Sequence, residues 1–220
     1  MRRFIELSHV LENGTGAYPG LPEPVIGAHL DHDASRSRYG GKAEFYLGRV
    51  EMVTNVGTYL DSPFHRFRDG EDLAAITLER VAGLPGVVLD ADASGGRSLS
   101  FPVDTAALSG RAVLVRTGTD RHWGTDAYKE NGPFLSEGFV KALIRAKAAL
   151  VGVDFLNVDD TSDPSRPVHT GLLRAGILIV ENLTNLGALP FGDFLFSAVP
   201  LRIVRGASFP VRAFAEMGER

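Results

Sequence analysis

The 220-residue sequence contains no cysteine. That excludes a disulfide framework, a thiolate nucleophile and every cysteine-ligated zinc or iron site, and it leaves the redox compartment unreadable. Positive charge is not in excess: 23 Lys and Arg stand against 27 Asp and Glu, for a formal net charge of -4. Nucleic acid and anionic lipid require a basic footprint, so neither is expected as a partner. Apolar runs are short as well. None approaches the ~18 residues that suggest a membrane span, and Glu6 and His9 interrupt the opening Met1-Arg2-Arg3-Phe4-Ile5 where a secretory segment would stay apolar. The expectation is a soluble, cytoplasmic protein. A G-x-S-x-G elbow and a G-x-x-x-x-G-K-[ST] loop are also missing. Asp159, Asp160 and Asp163 lack the glycine and glutamate of a calcium loop and read as a solvated turn.

What is present is ordinary for a globular chain, with 44% hydrophobic and 23% charged residues. No repeat, low-complexity tract or linker interrupts it, which predicts one domain over residues 1–220. Strands are expected at Phe4 to Leu7, Val87 to Leu89, Ala112 to Val115, Ala149 to Phe155 and Ile177 to Val180. Alternating apolar residues from Glu44 to Val56, slipping once near Gly48, suggest a long strand with a bulge. Leu78 to Ala82 reads as helix with Gly83 as its stop, Ser136 as the cap of a helix reaching Lys147, and Gly171 to Ala175 as a short helix ended by Gly176. Arg202 to Val204 and Val211 to Phe214 are further strand candidates. Helices alternating with strands predict an α/β fold.

Chemistry has to come from histidines, carboxylates, hydroxyls and backbone. The segment Asn55-Val56-Gly57-Thr58-Tyr59-Leu60-Asp61-Ser62-Pro63-Phe64-His65 is the densest cluster. Pro63 keeps Ser62 extended and opens a turn, so Asp61 and His65 flank a rigid corner. From spacing alone, Asp61 is as compatible with capping that turn as with a ligand role. Downstream, His169 precedes a short helix and Glu181 follows the apolar Ile177-Leu178-Ile179-Val180. A buried glutamate needs a partner, so Glu181 is either a ligand or one half of a salt bridge at a strand end. His29 and His32 beside Asp31 and Asp33 read as a polar surface stretch, His9 as structural, and Trp123 of Arg121-His122-Trp123-Gly124 as packing.

In order along the chain, Glu6-Leu7-Ser8-His9, Tyr18-Pro19-Gly20, the Asn55–His65 segment, Val151-Gly152-Val153-Asp154, His169, Val180-Glu181-Asn182-Leu183 and Phe209-Pro210-Val211-Arg212-Ala213 resemble the cyclase-like superfamily of metal-dependent hydrolases. That superfamily includes kynurenine formamidase and isatin hydrolase, and its hallmark is H-x-G-T-H-x-D-x-P-x-H. The resemblance implies a β/α/β fold, a mixed sheet with flanking helices, assembled as a homodimer or homotetramer. It also implies metal ligation by Asp61, His169 and Glu181, proton transfer by His65 and substrate contact by Tyr18. Asn55 and Tyr59 stand where the hallmark has its first two histidines, so the resemblance implies one divalent ion, zinc or manganese, rather than two. The expected activity is hydrolysis of a small amide, imide, lactam or ester, with Tyr59 and Asn55 as oxyanion donors. The alternatives are a metal-free lyase or cyclase and a non-catalytic ligand-binding module.

Overall fold

The computed structural model describes residues 2–16, 18–91, 96–102 and 104–218. Among them the strands are β1 (Arg3–Glu6), β2 (Val25–Leu30), β3 (Leu47–Glu51), β4 (Tyr59–Asp61), β5 (Leu84–Asp90), β6 (Ser98–Leu99), β7 (Ala112–Arg116), β8 (Phe134–Leu135), β9 (Leu150–Val153), β10 (Leu178–Glu181), β11 (Leu195–Ser197), β12 (Ser208–Pro210) and β13 (Phe214–Met217). The helices are α1 (His32–Arg38), α2 (Asp126–Lys129), α3 (Glu137–Ala146) and α4 (Pro167–Arg174). Nine strands form one mixed sheet in the order β1-β13-β11-β5-β7-β9-β10-β4-β12. This is the α/β fold that the sequence predicts.

The centre of the sheet, β5, β7, β9 and β10, is parallel, and its strands are apolar on successive residues because both faces are covered. Val87, Val113, Val151 and Ile179 point toward a layer that contains α3 and α4, whereas Val88, Leu114 and Val180 belong to the opposite core. Helix α3 supplies Phe139, Val140, Leu143 and Ala146 from one stripe. As expected, Ser136 caps it, accepting from the Phe139 amide at 3.2 Å, and Lys147 closes it in the left-handed region at φ 54°. Gly152 is required in β9, since a Cβ there would stand 2.6 Å from Leu183 Cδ1 and 2.7 Å from Leu114 Cδ2. Antiparallel strands complete both flanks, with β4 and β12 beyond β10 and β11, β13 and β1 beyond β5.

Several expectations need correction. The long strand from Glu44 to Val56 is only β3, which pairs with β2 in a separate two-stranded sheet. Its alternating residues serve different partners: Leu47 and Val50 are exposed, while Val56 is buried in the body. The irregularity opposite Gly48 belongs to the partner strand: Ala28 pairs with Gly48 and Leu30 with Leu47, so the extra residue, His29, is in β2 and β3 itself runs without a slip. Leu78 to Arg80 form a 3₁₀ turn rather than an α-helix. Helix α4 begins at Pro167, so His169 lies in its first turn instead of ahead of it. Residues 202–204 form no strand, and residues 211–213 link β12 to β13.

Candidate functional site

Strand pairing builds the site. Antiparallel β4 lies between β10 and β12, with Tyr59 opposite Glu181 and Pro210, and Asp61 opposite Ile179 and Ser208. Directly opposed side chains are neighbours. The Tyr59 hydroxyl therefore donates to Glu181 Oε2, and the Ser208 hydroxyl donates to Asp61 Oδ1. Asn55 Nδ2 adds donations to Asp61 Oδ1 at 3.3 Å and to Ser208 Oγ at 3.1 Å. After Asp61 the chain turns at Ser62, extended as Pro63 demands, into the 3₁₀ turn Pro63–His65. This places His65 Nδ1 3.2 Å from Ser208 Oγ and 3.8 Å from Asp61 Oδ1.

Helix α4 brings His169 onto the same group. Its Nε2 lies 3.6 Å from Asp61 Oδ2 and 3.6 Å from Glu181 Oε1. Asp159 holds it there. One Asp159 oxygen accepts from the Val168 amide at 2.6 Å; the other accepts from the His169 amide at 3.1 Å and meets His169 Nδ1 at 2.6 Å. Asp159 is buried, so the solvated turn expected for it is wrong. It serves both as an amide cap for α4 and as the partner that orients the His169 ring, with Nε2 turned toward Asp61 and Glu181.

The electrostatics follow from three buried acids around one ring. Burial works against charge on His169, but the Asp159 hydrogen bond and the Asp61 and Glu181 carboxylates outweigh it and raise its pKa to about 10. Burial pushes the Glu181 carboxyl up, His169 opposing and Asp61 adding. Burial also acts on Asp61, yet His65, His169 and Ser208 together hold it low. Burial, then the Glu181 and Asp61 charges, push the Tyr59 phenol well above its ordinary value, so it remains a donor.

A cation fits this arrangement. Asp61 Oδ2 is buried with no hydrogen-bond partner, a costly state for a carboxylate oxygen. Donors about 3.4 Å apart surround a tetrahedral ion held at about 2.1 Å, close to the two 3.6 Å separations at His169 Nε2. One ligand atom each from Asp61, His65 and His169 also lie within 4.8 Å of one another, so His65 is within reach of the same ion.

A cavity of about 240 Å³ opens over these groups, lined by Tyr18, Asn55, Tyr59, His65, Arg166 and His169 among others. Tyr18, Asn55, Tyr59, Asp61, His65, His169 and Glu181 are therefore in or against one site. Tyr59 and Asn55 border the cavity, but their protons are given to Glu181, Asp61 and Ser208 rather than offered to a substrate oxygen, which differs from the oxyanion role expected of them. The turn at Arg121–Gly124 does not line the cavity; Trp123 stacks on His9 at 4.0 Å and packs edge-on against Tyr128. His29 and His32 are exposed, and His32 lies 3.5 Å from Glu44 with its ring tilted against Tyr46. Sequence reasoning missed Ser208, Asp159, Arg66 and Arg166, whose residue types carry no signal until strand register and helix position are known.

A family model described as a putative cyclase matches residues 5–160. The chain is 30% identical over 217 residues to a kynurenine formamidase of Salinibacter ruber, covering 96% of this chain and 95% of that one. It is 27% identical over 214 residues to a kynurenine formamidase of Bacillus cytotoxicus, with coverage of 96% and 95%. In structure it is similar to isatin hydrolase A from Labrenzia aggregata, with a TM-score of 0.83 at 23% identity over 99% of this chain and 94% of that chain.

Proposed function

Because the chain belongs to the cyclase family, we propose that it is a hydrolase that opens a small amide, imide, lactam or ester carbonyl with one divalent ion. The observation that carries this reading is Asp61 Oδ2, buried without a partner and facing His169 Nε2. Asp61, His169 and Glu181 would hold the ion, with zinc or manganese suited to an oxygen and nitrogen donor set. When bound, such an ion supplies Lewis acidity toward a carbonyl oxygen and toward water.

The chain's own residues do the rest. Asp159 fixes the His169 ring and its tautomer. Tyr59 and Asn55, with Ser208, hold Glu181 Oε2 and Asp61 Oδ1 with donated protons. Lone pairs that a second ion would use are thus already taken, which supports one ion in place of two. His65 turns Nδ1 toward Ser208 and stands at the cavity, so it transfers the proton to the leaving group. Tyr18 contributes an aromatic wall to the substrate. The names of the similar proteins suggest N-formyl arylamines and fused-ring lactams as first substrates to try. The active form is a homodimer or homotetramer, with the exposed β2–β3 sheet as its contact.

The test is a panel of formanilides, lactams, imides and aryl esters incubated with protein loaded with zinc or manganese, alongside His65→Gln. Turnover that chelation abolishes and that falls about 10²–10⁴-fold in His65→Gln is expected. No turnover from the loaded protein on any member of the panel overturns the proposal.

A further inference from the structure

Directly after Glu181, Asn182 takes φ 60°, in the left-handed region, and is 2% exposed; the other non-glycine residues with positive φ among the described residues are not buried. Such a conformation persists only where the surroundings over-determine it. Its hydrogen bonds do so. The Asn182 amide donates to the Phe155 carbonyl at 3.3 Å, and the Asn182 carbonyl accepts from the Thr58 hydroxyl at 2.5 Å. The side chain works in both directions: Nδ2 donates to the Gly57 carbonyl at 2.8 Å, and Oδ1 accepts from the Tyr128 hydroxyl at 2.7 Å. Thr58 and Tyr128 are themselves buried. Asn182 does not border the cavity, so no substrate meets it.

The place of these bonds gives them a purpose. Pairing of β10 with β4 ends at Glu181 opposite Tyr59, and this last pair carries the bond from the Tyr59 hydroxyl to Glu181 Oε2. The end of an element frays unless it is tied. Asn182, turned out of the strand, reaches back with its side chain to Gly57 and with its carbonyl to Thr58, the two residues that precede Tyr59. It extends the tie between the two strands past the point where backbone pairing stops. Glu181 Oε1 is fixed from elsewhere, by the Val158 amide at 2.7 Å, so the carboxylate keeps both contacts only while the strand ends hold their register. Few residue types meet the requirement. Glycine tolerates the conformation but offers no side-chain bond, and aspartate accepts from Tyr128 but has no proton for the Gly57 carbonyl. Asparagine tolerates the left-handed region and carries both a donor and an acceptor. We infer that Asn182 is the positioning residue of this site, braced by Tyr128, and that it sets where Glu181 presents its carboxylate beside His169. That Glu181 is a metal ligand rests on the hydrolytic reading; the positioning itself does not.

Crystals and metal affinity test it separately. Asn182→Gly keeps the backbone conformation and loses both side-chain bonds. In metal-free crystals of this variant the Glu181 carboxylate should move by more than ~0.5 Å, the tolerance of a preorganised site, and part from Tyr59 or from the Val158 amide. By competition with a chelator, zinc affinity should fall about tenfold or more in Asn182→Gly and less in Tyr128→Phe, which removes only the brace. Val87→Ala, a truncation in the core of the other sheet face, controls for lost stability, and its zinc affinity should match that of the unsubstituted chain. Where Asn182→Gly does not fold, Tyr128→Phe carries both measurements, since it leaves the Asn182 side chain and its bond to Gly57 in place. A Glu181 carboxylate that superposes on that of the unsubstituted protein overturns the positioning. So does a zinc affinity that falls no further than in Val87→Ala. If the unsubstituted chain binds no zinc, the metal reading falls and the metal-free crystals alone decide the positioning.

Discussion

His169 is only as good a ligand as its orientation, and Asp159 sets that orientation through the Nδ1 contact while its other oxygen caps α4. Replacing Asp159 with Asn removes the charge and lets the ring change tautomer. Affinity for zinc, measured by competition with a chelator, should fall about 10–100-fold in Asp159→Asn; an unchanged affinity would show that the ring is held by packing alone. A second histidine is readable by light. His9 is stacked on Trp123, the one tryptophan of the chain, and burial lowers its pKa to about 4 despite the opposing Asp120 charge. The folded value lies below the unfolded value of about 6.5, so His9 contributes stability that is present above pH 6.5 and lost as pH falls toward 4. Tryptophan emission should therefore titrate with a midpoint near 4, and His9→Asn should abolish the step; a midpoint near 6.5 would contradict the burial argument. At this scale the convergence of Asp61, His65, His169 and Glu181 was legible through the family resemblance, since residue type and spacing alone left Asp61 open as a turn cap and Glu181 as half of a salt bridge. Ser208 and Asp159 were not, because a hydroxyl or an acid acquires meaning only from what lies opposite it.

The parallel strands were legible as short apolar runs, and α3 was legible from its cap and its stripe. Elements whose pattern serves two environments were not. The alternation through residues 44–56 is continuous in sequence but divided in space, part in an exposed sheet and part at the site. Helix α4 extends further toward its start than the sequence pattern predicts, its amide cap coming from Asp159, eight residues before Pro167. Gly152 shows how tightly the elements meet: β9 passes so close to Leu183 and Leu114 that no side chain fits between. Gly152→Ala should cost about 1–3 kcal/mol in denaturant unfolding, and a loss below about 0.5 kcal/mol would mean that both leucines yield. Activity should fall along with stability, because Leu183 lies two residues beyond Glu181.

For the whole molecule, exposed area is informative. A compact monomer of 23.7 kDa exposes roughly 9,800 Å², whereas this chain exposes 11778 Å². The excess is consistent with the β2–β3 sheet, where Val25 and Val50 are 62% and 53% exposed, since a two-stranded sheet is marginal in water by itself. An excess of about 2,000 Å² is enough for each copy's share of a stable interface. Sedimentation should give a dimer or tetramer, and Val50→Asp should shift it toward monomer; a monomer at micromolar concentration would remove the assembly from the proposal. No helix among the described residues is long and apolar enough to cross a membrane. The order of synthesis also matters, because Asp61 waits on Ser208, 147 residues later, for the hydroxyl that holds it. While the polypeptide emerges from the ribosome, β4 remains an open edge until β12 arrives, so the pocket is among the last features of the molecule to mature.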